Sequence, residues 1–322
     1  MSSMKKLVIG SRSSRMAIAQ SNEFVNTFLN YNKDFKAENI EIRPITTSGD
    51  INQKDRLDLI GGKGLFVKEI ERKLLNKEID VAVHSMKDMP TIMTPGLKIA
   101  SWLPRGDERE ALIGNEKKTI MELQPKSIIG TSSIRRRSQV LSLRKDLHIK
   151  LIRGNVDTRI SKLDQGEYDA LILGYGGIKR LGLESRVVQI FSKNEILPPS
   201  CQASIGIQTI DEDNELVRLI SNTNHEEASL IGLTERKVLE TIQANCNSPI
   251  GVYAFINDNK SLTIKTELFS HDGEEKFTAE ISGELEESIN LGYKVGNMII
   301  DQVGLDYIKE LDNLKNDFNY TP

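Results

Sequence analysis

Residues 79–88 read Ile-Asp-Val-Ala-Val-His-Ser-Met-Lys-Asp, an apolar stretch that passes directly into polar and charged residues. Apolar side chains occupy every second position at its start, and this period predicts a β-strand. Just before it, Phe66, Ile70 and Leu74 recur at the spacing of one helix face. Helices that alternate with apolar strands are the signature of α/β proteins. The stretch therefore predicts an α/β sheet with helices on both faces.

The same alternation extends in both directions. The first series also contains a strand at 7–10, a helix at about 16–29 and a strand at 40–45. After a break near 102–107, the second series contains strands at 128–130, 149–152 and 170–173, with Thr131-Ser132-Ser133 as a helix cap before Ile134. The segment after about His225 predicts a helix, strands at 250–256 and 261–268, and a final helix from about Ser288. This last segment is predicted to be a small α+β domain.

The overall charge argues against a general attraction to nucleic acid or membranes. The net charge is -3, with 43 basic and 46 acidic residues. No stretch approaches the ~18 apolar residues of a membrane span, and the run at 7–10 is shorter than a signal-peptide core. The two cysteines and four scattered histidines show no metal-ligand spacing. We therefore expect a cytoplasmic protein without a metal site, whose anion-binding groups are clustered locally.

Basic residues cluster where the predicted strands end. They occur in both α/β series, at Arg12, Arg15, Lys63, Lys87, Arg135, Arg136, Arg137, Arg153, Arg159, Lys179 and Arg180. Ligands of open α/β sheets bind at the carboxyl ends of the strands, where helix N-termini add positive potential. Arginine is suited to bidentate contacts with carboxylates or phosphates. We therefore expect two α/β domains to form one cationic cleft that binds a polyanion.

Several of these residues also have simpler interpretations. Taken alone, Asp88 favours a structural ion pair over stabilisation of a cation or proton transfer, and Ser85 favours a helix cap over a ligand contact. His84, at a strand end, favours a structural role. Cys246, in the turn-rich loop Asn-Cys-Asn-Ser-Pro, could be a nucleophile, but taken alone it favours an inert thiol. The serines and arginines at 132–137 could also grip a nucleic-acid backbone, although such binding usually needs a broader basic face.

Several longer motifs, taken together and in order, resemble the porphobilinogen deaminase (hydroxymethylbilane synthase) family. They are Gly10-Ser-Arg-Ser-Ser14, Thr47-Ser-Gly-Asp50, Gly61-Gly-Lys-Gly-Leu-Phe-Val-Lys-Glu69, Val83-His-Ser-Met-Lys-Asp-Met-Pro90, Gly130-Thr-Ser-Ser-Ile-Arg-Arg136, Arg153-Gly-Asn-Val-Asp-Thr-Arg159 and Cys246-Asn-Ser-Pro-Ile-Gly251. The resemblance covers nearly the whole chain. It implies two doubly wound α/β domains like those of type II periplasmic binding proteins and a small C-terminal α+β domain. The implied boundaries are 1–103 with 200–222, 104–199, and 223–322.

The resemblance also implies an activity. The enzyme would join four porphobilinogen molecules head to tail into linear hydroxymethylbilane, releasing ammonia, in tetrapyrrole biosynthesis. The chain would grow on a dipyrromethane cofactor bound by a thioether to Cys246. Asp88 would be the catalytic carboxylate that assists loss of ammonia and stabilises the cationic azafulvene. A monomer is the implied state, with porphobilinogen and the growing polypyrrole chain as the partners and neither nucleic acid nor membrane involved.

The remaining site residues come from the same resemblance. Contacts to the cofactor are implied for Ser85, Lys87, Thr131, Ser133, Arg135 and Arg136. Contacts to the substrate are implied for Arg12, Ser14, Lys63, Arg153, Arg159, Arg180 and Gln202. Since every porphobilinogen carries an acetate and a propionate, the growing chain accumulates carboxylates that need cationic partners.

The sequence departs from the family pattern at three places. Leu59 stands where the family usually has a lysine. Pro199-Ser-Cys-Gln-Ala-Ser204 replaces two glycines around the retained Gln202, which puts the local backbone geometry in question. Gly174-Tyr-Gly-Gly-Ile178 replaces the usual Ala-x-Ala-Gly-Leu. These departures leave room for a non-catalytic anion-binding protein on the same scaffold, while a transcriptional regulator would need a helix-turn-helix extension that the sequence lacks. Cys201 is predicted to be a packing thiol.

Overall fold

The computed structural model describes residues 6–47, 67–212, 214–245 and 248–313. The described strands are β1 (Leu7–Arg12), β2 (Ile40–Ile45), β3 (Val81–Ser85), β4 (Leu97–Trp102), β5 (Glu110–Gly114), β6 (Ile128–Thr131), β7 (His148–Leu151), β8 (Ala170–Gly174), β9 (Val187–Ile190), β10 (Ile205–Ile210), β11 (Ile250–Ile256), β12 (Leu262–Phe269) and β13 (Lys276–Gly283). The described helices are α1 (Arg15–Tyr31), α2 (Lys68–Leu75), α3 (Ile134–Leu143), α4 (Val156–Asp164), α5 (Tyr175–Arg180), α6 (Glu215–Ser221), α7 (Glu226–Thr241) and α8 (Ser288–Asn313).

The chain forms two compact units. Unit 1 contains Met1–Gly106 and Ala203–Leu230, and unit 2 contains Asp107–Gln202 and Ile231–Pro322. In the described part of the chain, no helix is both long enough and apolar enough to cross a bilayer.

Unit 1 is built on a five-stranded sheet of order β2-β1-β3-β10-β4. The first three strands are parallel, and β10 runs antiparallel to both of its neighbours. Successive side chains of β1 point to opposite faces: Leu7 and Ile9 pack with Phe24 and Phe28 of α1, whereas Val8 packs on the side of α2. Because both faces are covered, this is the α/β layer that the sequence predicts.

Unit 2 contains a second five-stranded sheet, of order β7-β6-β8-β5-β9, with the same pattern of strand directions. Alternation again divides the core between two faces. Ile172 of β8 packs with Ile134 of α3 on one face, and Leu173 packs with Leu163 of α4 on the other. The predicted cap is confirmed, since Ser133 accepts from the backbone N–H of Arg136 at the start of α3.

Unit 2 also contains the antiparallel sheet β11-β12-β13, covered by α8, and α7 packs against α8. The helices approach closely where α8 has Gly292 and Gly296, since a Cβ at either position would lie 2.8 Å from Thr234 O or Thr241 Cβ. The helical pattern of α8 is interrupted at Gly304, whose φ of +77° lies in the left-handed region. The predicted fold class, two α/β sheets and a small C-terminal α+β part, is confirmed, while the three domain boundaries stay a prediction.

Candidate active site

The candidate residues of unit 1 lie at one edge of its sheet. The parallel neighbours β1 and β3 both end there, so Arg12 and Ser14 follow one strand while Ser85 and Asp88 follow the other. Ser14 is the N-cap of α1 and accepts from the backbone N–H of Ala17 at 3.3 Å. The strand order thus brings together residues that are more than 70 positions apart in the sequence.

Lys87 and Asp88 lie on a short 3-10 turn whose first residue, Met86, is buried in the protein core. The turn spans Met86–Asp88, and its first residue is 1% exposed, whereas Lys87 and Asp88 are exposed. The N–H of Met86 donates to the carbonyl of Ser204 at 3.0 Å. Its thioether occupies the space where a Cβ at Gly206 would stand, 2.1 Å from the sulfur. A buried anchor followed by two exposed charges suits a residue that must meet a ligand from a fixed position.

His84 is buried behind this turn in a polar chain. The side-chain nitrogen of Gln208 donates to Glu71 at 2.8 Å, so the amide oxygen is left to accept from Nε2–H of His84 at 3.0 Å. Glu71 also accepts from the hydroxyl of Thr94 at 2.6 Å. Burial lowers the pKa of His84 to about 4, although the negative charge of Asp88 acts in the opposite direction. The predicted structural role of this histidine is confirmed, and it is a neutral neighbour of Asp88.

Ser85 is not a helix cap, so that interpretation is wrong. Its hydroxyl makes no capping hydrogen bond to the 3-10 turn. Instead, Ser85 Oγ and the amide of Gln20 exchange hydrogen bonds of 2.8 and 3.0 Å. This pairing joins the end of β3 to α1, and therefore to the N-terminal turn of α1 that Ser14 caps.

In unit 2, the candidate hydroxyls line the start of α3. Thr131 Oγ1 accepts from the N–H of Ser133 at 3.2 Å. Arg159, in the first turns of α4, donates to the carbonyl of Gly154 at 2.9 Å and to the hydroxyl of Ser132 at 3.4 Å. These contacts bring the ends of β6 and β7 together at one edge of the second sheet. The sequence predicted this grouping from strand ends alone.

The side chains of Arg135 and Arg136 are buried beside the carboxylate of Glu110, a residue that the sequence did not single out. Arg135 and Arg136 both pair with Glu110, the second at 2.8 Å, and all three side chains are buried. Burial lowers the pKa of Arg135 to about 10. Two guanidiniums against one carboxylate leave one positive charge over, and the buried Nε of Arg136 has no hydrogen-bond partner among the described residues. The cluster therefore retains a net capacity to attract an anion.

Arg153, Arg180 and Gln202 take up three further positions in unit 2. Arg153 follows β7 and Arg180 ends α5, both of them partly exposed. Gln202 is buried and donates to the carbonyl of Glu108 at 2.6 Å. Its amide lies against the bare Cα of Gly174, where a Cβ would come within 3.1 Å of the amide oxygen. A side chain at 174 would therefore require a small shift of the Gln202 amide.

The backbone around Gln202 keeps a glycine-like conformation without glycine. Cys201 and Ala203 have φ angles of +58° and +64°, in the left-handed region. Cys201 is held there by its backbone N–H, which donates to the buried carboxylate of Glu235, and its thiol is 1% exposed. Surrounding contacts therefore impose the geometry that the substitutions put in question, and Cys201 is a packing thiol as predicted.

Lys63, Leu59 and Cys246 lie outside the described residues. The neighbours of Cys246 are described: Asn245 and Ser248 both donate to the carboxylate of Asp312, near the end of α8. Sequence reasoning missed Asp312, because nothing in a single sequence marks a pairing across 67 positions.

Comparison with known proteins agrees with the motifs. Residues 7–218 match the family model described as porphobilinogen deaminase, dipyromethane cofactor binding domain, and residues 230–301 match the porphobilinogen deaminase C-terminal domain. Porphobilinogen deaminase of Staphylococcus carnosus is 37% identical over 310 residues, covering 96% of this chain and 99% of that protein. The Staphylococcus epidermidis enzyme is 38% identical over 312 residues, with the same coverage of both chains. Among solved structures, an ABC-transporter periplasmic substrate-binding protein from Coxiella burnetii is 11% identical with a TM-score of 0.42, covering 67% of this chain and 91% of that chain. On the two family models and the near full-length relatives, this chain belongs to the porphobilinogen deaminase family.

Proposed function

We propose that this chain is a hydroxymethylbilane synthase that acts as a cytoplasmic monomer. It condenses four porphobilinogen molecules with one water into linear hydroxymethylbilane and releases four molecules of ammonia. The observation that carries the proposal is the family match over 7–218 and 230–301, together with the retained aspartate, cysteine and arginines of the family motifs. The primer on which the product grows is a dipyrromethane joined by a thioether to Cys246.

The residues of unit 2 fit an acid-rich group such as dipyrromethane. Each pyrrole unit carries two carboxylates, and the cluster of Arg135, Arg136 and Glu110 leaves one positive charge over. The buried Nε–H of Arg136 has no acceptor among the described residues, so it can donate to a carboxylate of the bound group. Thr131 and Ser133 add hydroxyls at the N-terminus of α3, where the helix dipole favours negative charge. When bound, dipyrromethane supplies a nucleophilic pyrrole carbon from which the product is extended.

The remaining cationic residues bind and orient the substrate's carboxylates. Arg12 serves this role in unit 1, and Arg153, Arg159 and Arg180 serve it in unit 2, with Lys63 assigned by motif, whereas Lys87 contacts the cofactor. Their positions at strand ends suit bidentate contacts, because guanidinium groups match carboxylate geometry. Ser14 and Gln202 complete the substrate contacts, and Ser85 those of the cofactor.

Asp88 provides the negative charge that the chemistry needs. In each cycle the bond between the substrate's aminomethyl carbon and nitrogen breaks, and its electron pair leaves with ammonia. Positive charge develops on the substrate, and the Asp88 carboxylate stabilises it. A new carbon–carbon bond then forms to a pyrrole α-carbon, which loses its proton, and Asp88 lies on an exposed turn where its carboxylate can accept that proton.

The experiment is intact mass spectrometry of the purified protein before and after addition of porphobilinogen. We expect a form that carries two pyrrole units and then discrete increments of one unit each. Cys246→Ser should abolish the modification, whereas Cys201→Ser, which changes the buried thiol, should retain it. A wild-type protein that never gains mass in the presence of porphobilinogen would refute the proposed function.

A further inference from the structure

A carboxylate at the end of the chain's last described helix holds the two residues that flank Cys246 and Asn247. Oδ2 of Asp312 accepts from the side-chain amide of Asn245 at 2.6 Å, and Oδ1 accepts from the hydroxyl of Ser248 at 2.6 Å. One side chain therefore binds both ends of the segment that contains the cysteine. Hydrogen bonds to a carboxylate are shorter and stronger than neutral ones.

The two flanking residues also bind each other. The N–H of Asn245 donates to Ser248 Oγ at 2.9 Å, and the N–H of Ser248 donates to the carbonyl of Asn245 at 3.1 Å. Ser248 is only 5% exposed, so its hydroxyl needs an internal acceptor, and Asp312 supplies it. We call this arrangement of Asn245, Ser248 and Asp312 the carboxylate bracket.

The helix reaches the bracket because it changes direction. Gly304 interrupts α8 with its left-handed φ of +77°. Beyond it, Ile308 and Leu311 are buried, at 1% and 4% exposed, and they fix the last turns against unit 2.

We infer that Asp312 is a positioning residue that sets the chain on both sides of Cys246 for attachment of the primer. The inference rests on the proposed function, because it assigns a purpose to the cysteine. Without the carboxylate, the amide of Asn245 and the hydroxyl of Ser248 lose their shared acceptor, so Asp312 no longer ties these two residues to the end of α8. The thiol must then react without the positioning that the bracket supplies. A misplaced reacting group lowers the rate of bond formation, so primer attachment should slow.

The test uses full-length protein prepared without porphobilinogen and follows primer attachment by intact mass after porphobilinogen is added. Asp312→Asn keeps the shape of the side chain but has one acceptor oxygen instead of two. The matched control is Asp306→Asn, which removes the same charge from a fully exposed position of the same helix, 3.8 Å from Lys309. We expect attachment to slow by at least about tenfold in Asp312→Asn and to be unchanged in the control.

Two further measurements separate positioning from stability. Asp312→Asn should reach the wild-type extent of loading and, once loaded, turn over at close to the wild-type rate. Ser248→Ala should slow attachment in the same direction, and the double variant should be slower by less than the product of the two effects, because both act on one bracket.

Attachment by Asp312→Asn at the rate of Asp306→Asn would overturn the inference. So would slow attachment that is matched by an equal loss in loaded turnover and a lower unfolding midpoint, because that pattern is a general structural defect. Failure of the wild type to load would instead remove the proposed function, and the two failures are thereby distinguishable.

Discussion

Gln208 fixes the protonation pattern of His84. Its amide oxygen lies 3.0 Å from Nε2 of the imidazole, and its amide nitrogen donates to Glu71 at 2.8 Å, so the amide has only one allowed orientation. The hydrogen therefore resides on Nε2 of a ring that burial keeps neutral. His84 directly precedes Ser85 and lies within electrostatic reach of Asp88. Because the imidazole is neutral, it places no positive charge beside the candidate catalytic carboxylate.

The burial of His84 predicts a pH-dependent stability of unit 1. Its pKa falls from 6.5 to about 4 in the folded protein, so the unfolded chain takes up the proton first as pH falls. The contribution of the neutral imidazole to the free energy of unfolding is fully present above pH 6.5. It is lost as the pH drops toward 4, and it amounts to about 3 kcal/mol in total. His84→Gln should remove this part of the pH dependence. Urea unfolding followed by fluorescence of Trp102, the single tryptophan, measures it within unit 1.

The control for this prediction is His148→Gln, at the start of β7 in unit 2. Its effect on the Trp102 transition should be the same at every pH, since that histidine lies in the other unit. An identical pH slope in wild type and His84→Gln would contradict the assignment of a buried neutral imidazole.

The left-handed backbone at Ala203 predicts that glycine is the better residue there. Its φ of +64° strains any side chain, and relief of that strain exceeds the entropy glycine adds to the unfolded chain. Ala203→Gly should therefore stabilise the protein by about 0.5–1 kcal/mol. Cys201→Gly relieves similar strain but also deletes a buried thiol in contact with Ser200 and Gly232, so we expect no gain. Thermal unfolding of both variants checks this, and destabilisation by Ala203→Gly would be the contrary result.

Features that depend on neighbouring residues could be predicted from the sequence. The cap at Ser133 is confirmed because a hydroxyl before an apolar helix start is a local signal. The apolar alternation before His84 likewise predicted β3. By contrast, β13 was missed, although Phe277, Ala279 and Ile281 occupy every second position of Lys276–Gly283 and such alternation is a local signal of a strand.

Features that depend on distant pairs were not visible. Glu110 reads as a surface acid, and its contacts with Arg135 and Arg136, from a different segment of the chain, make its burial favourable. The acceptor role of Asp312 arises in the same way. The family motifs predicted the site residues because such motifs encode long-range contacts collectively.

The buried cluster around Glu110 predicts a large effect from a small change. Glu110→Gln removes the negative charge that pairs with both Arg135 and Arg136. Breaking a buried ion pair costs about 3–5 kcal/mol, because a buried charge is left uncompensated. Thermal unfolding followed by circular dichroism should show a markedly lower midpoint. Glu116→Gln is the matched control, since its pairing with Lys118 is exposed and its loss should leave the midpoint unchanged.

The same cluster gives that prediction a second readout. If an anionic ligand occupies the space near Arg136, loading with the primer should shift the unfolding midpoint of the wild type upward. The shift should be larger in Glu110→Gln, where two guanidiniums lack their acid. Equal midpoints for Glu110→Gln and wild type would contradict the buried pairing.

Replacing the Asp88 carboxylate tests the chemistry rather than the fold. Asp88→Asn keeps the size of the side chain on its exposed turn, and Met86 remains the anchor, so the unfolding midpoint should not change. The rate of ammonia release per loaded enzyme should fall by about 10²–10⁴-fold, because neither stabilisation of developing positive charge nor proton acceptance is possible for the amide. Asp258→Asn, in an exposed turn between β11 and β12, controls for loss of one negative charge. Retained turnover in Asp88→Asn, with the primer still attached, would show that another group performs the step.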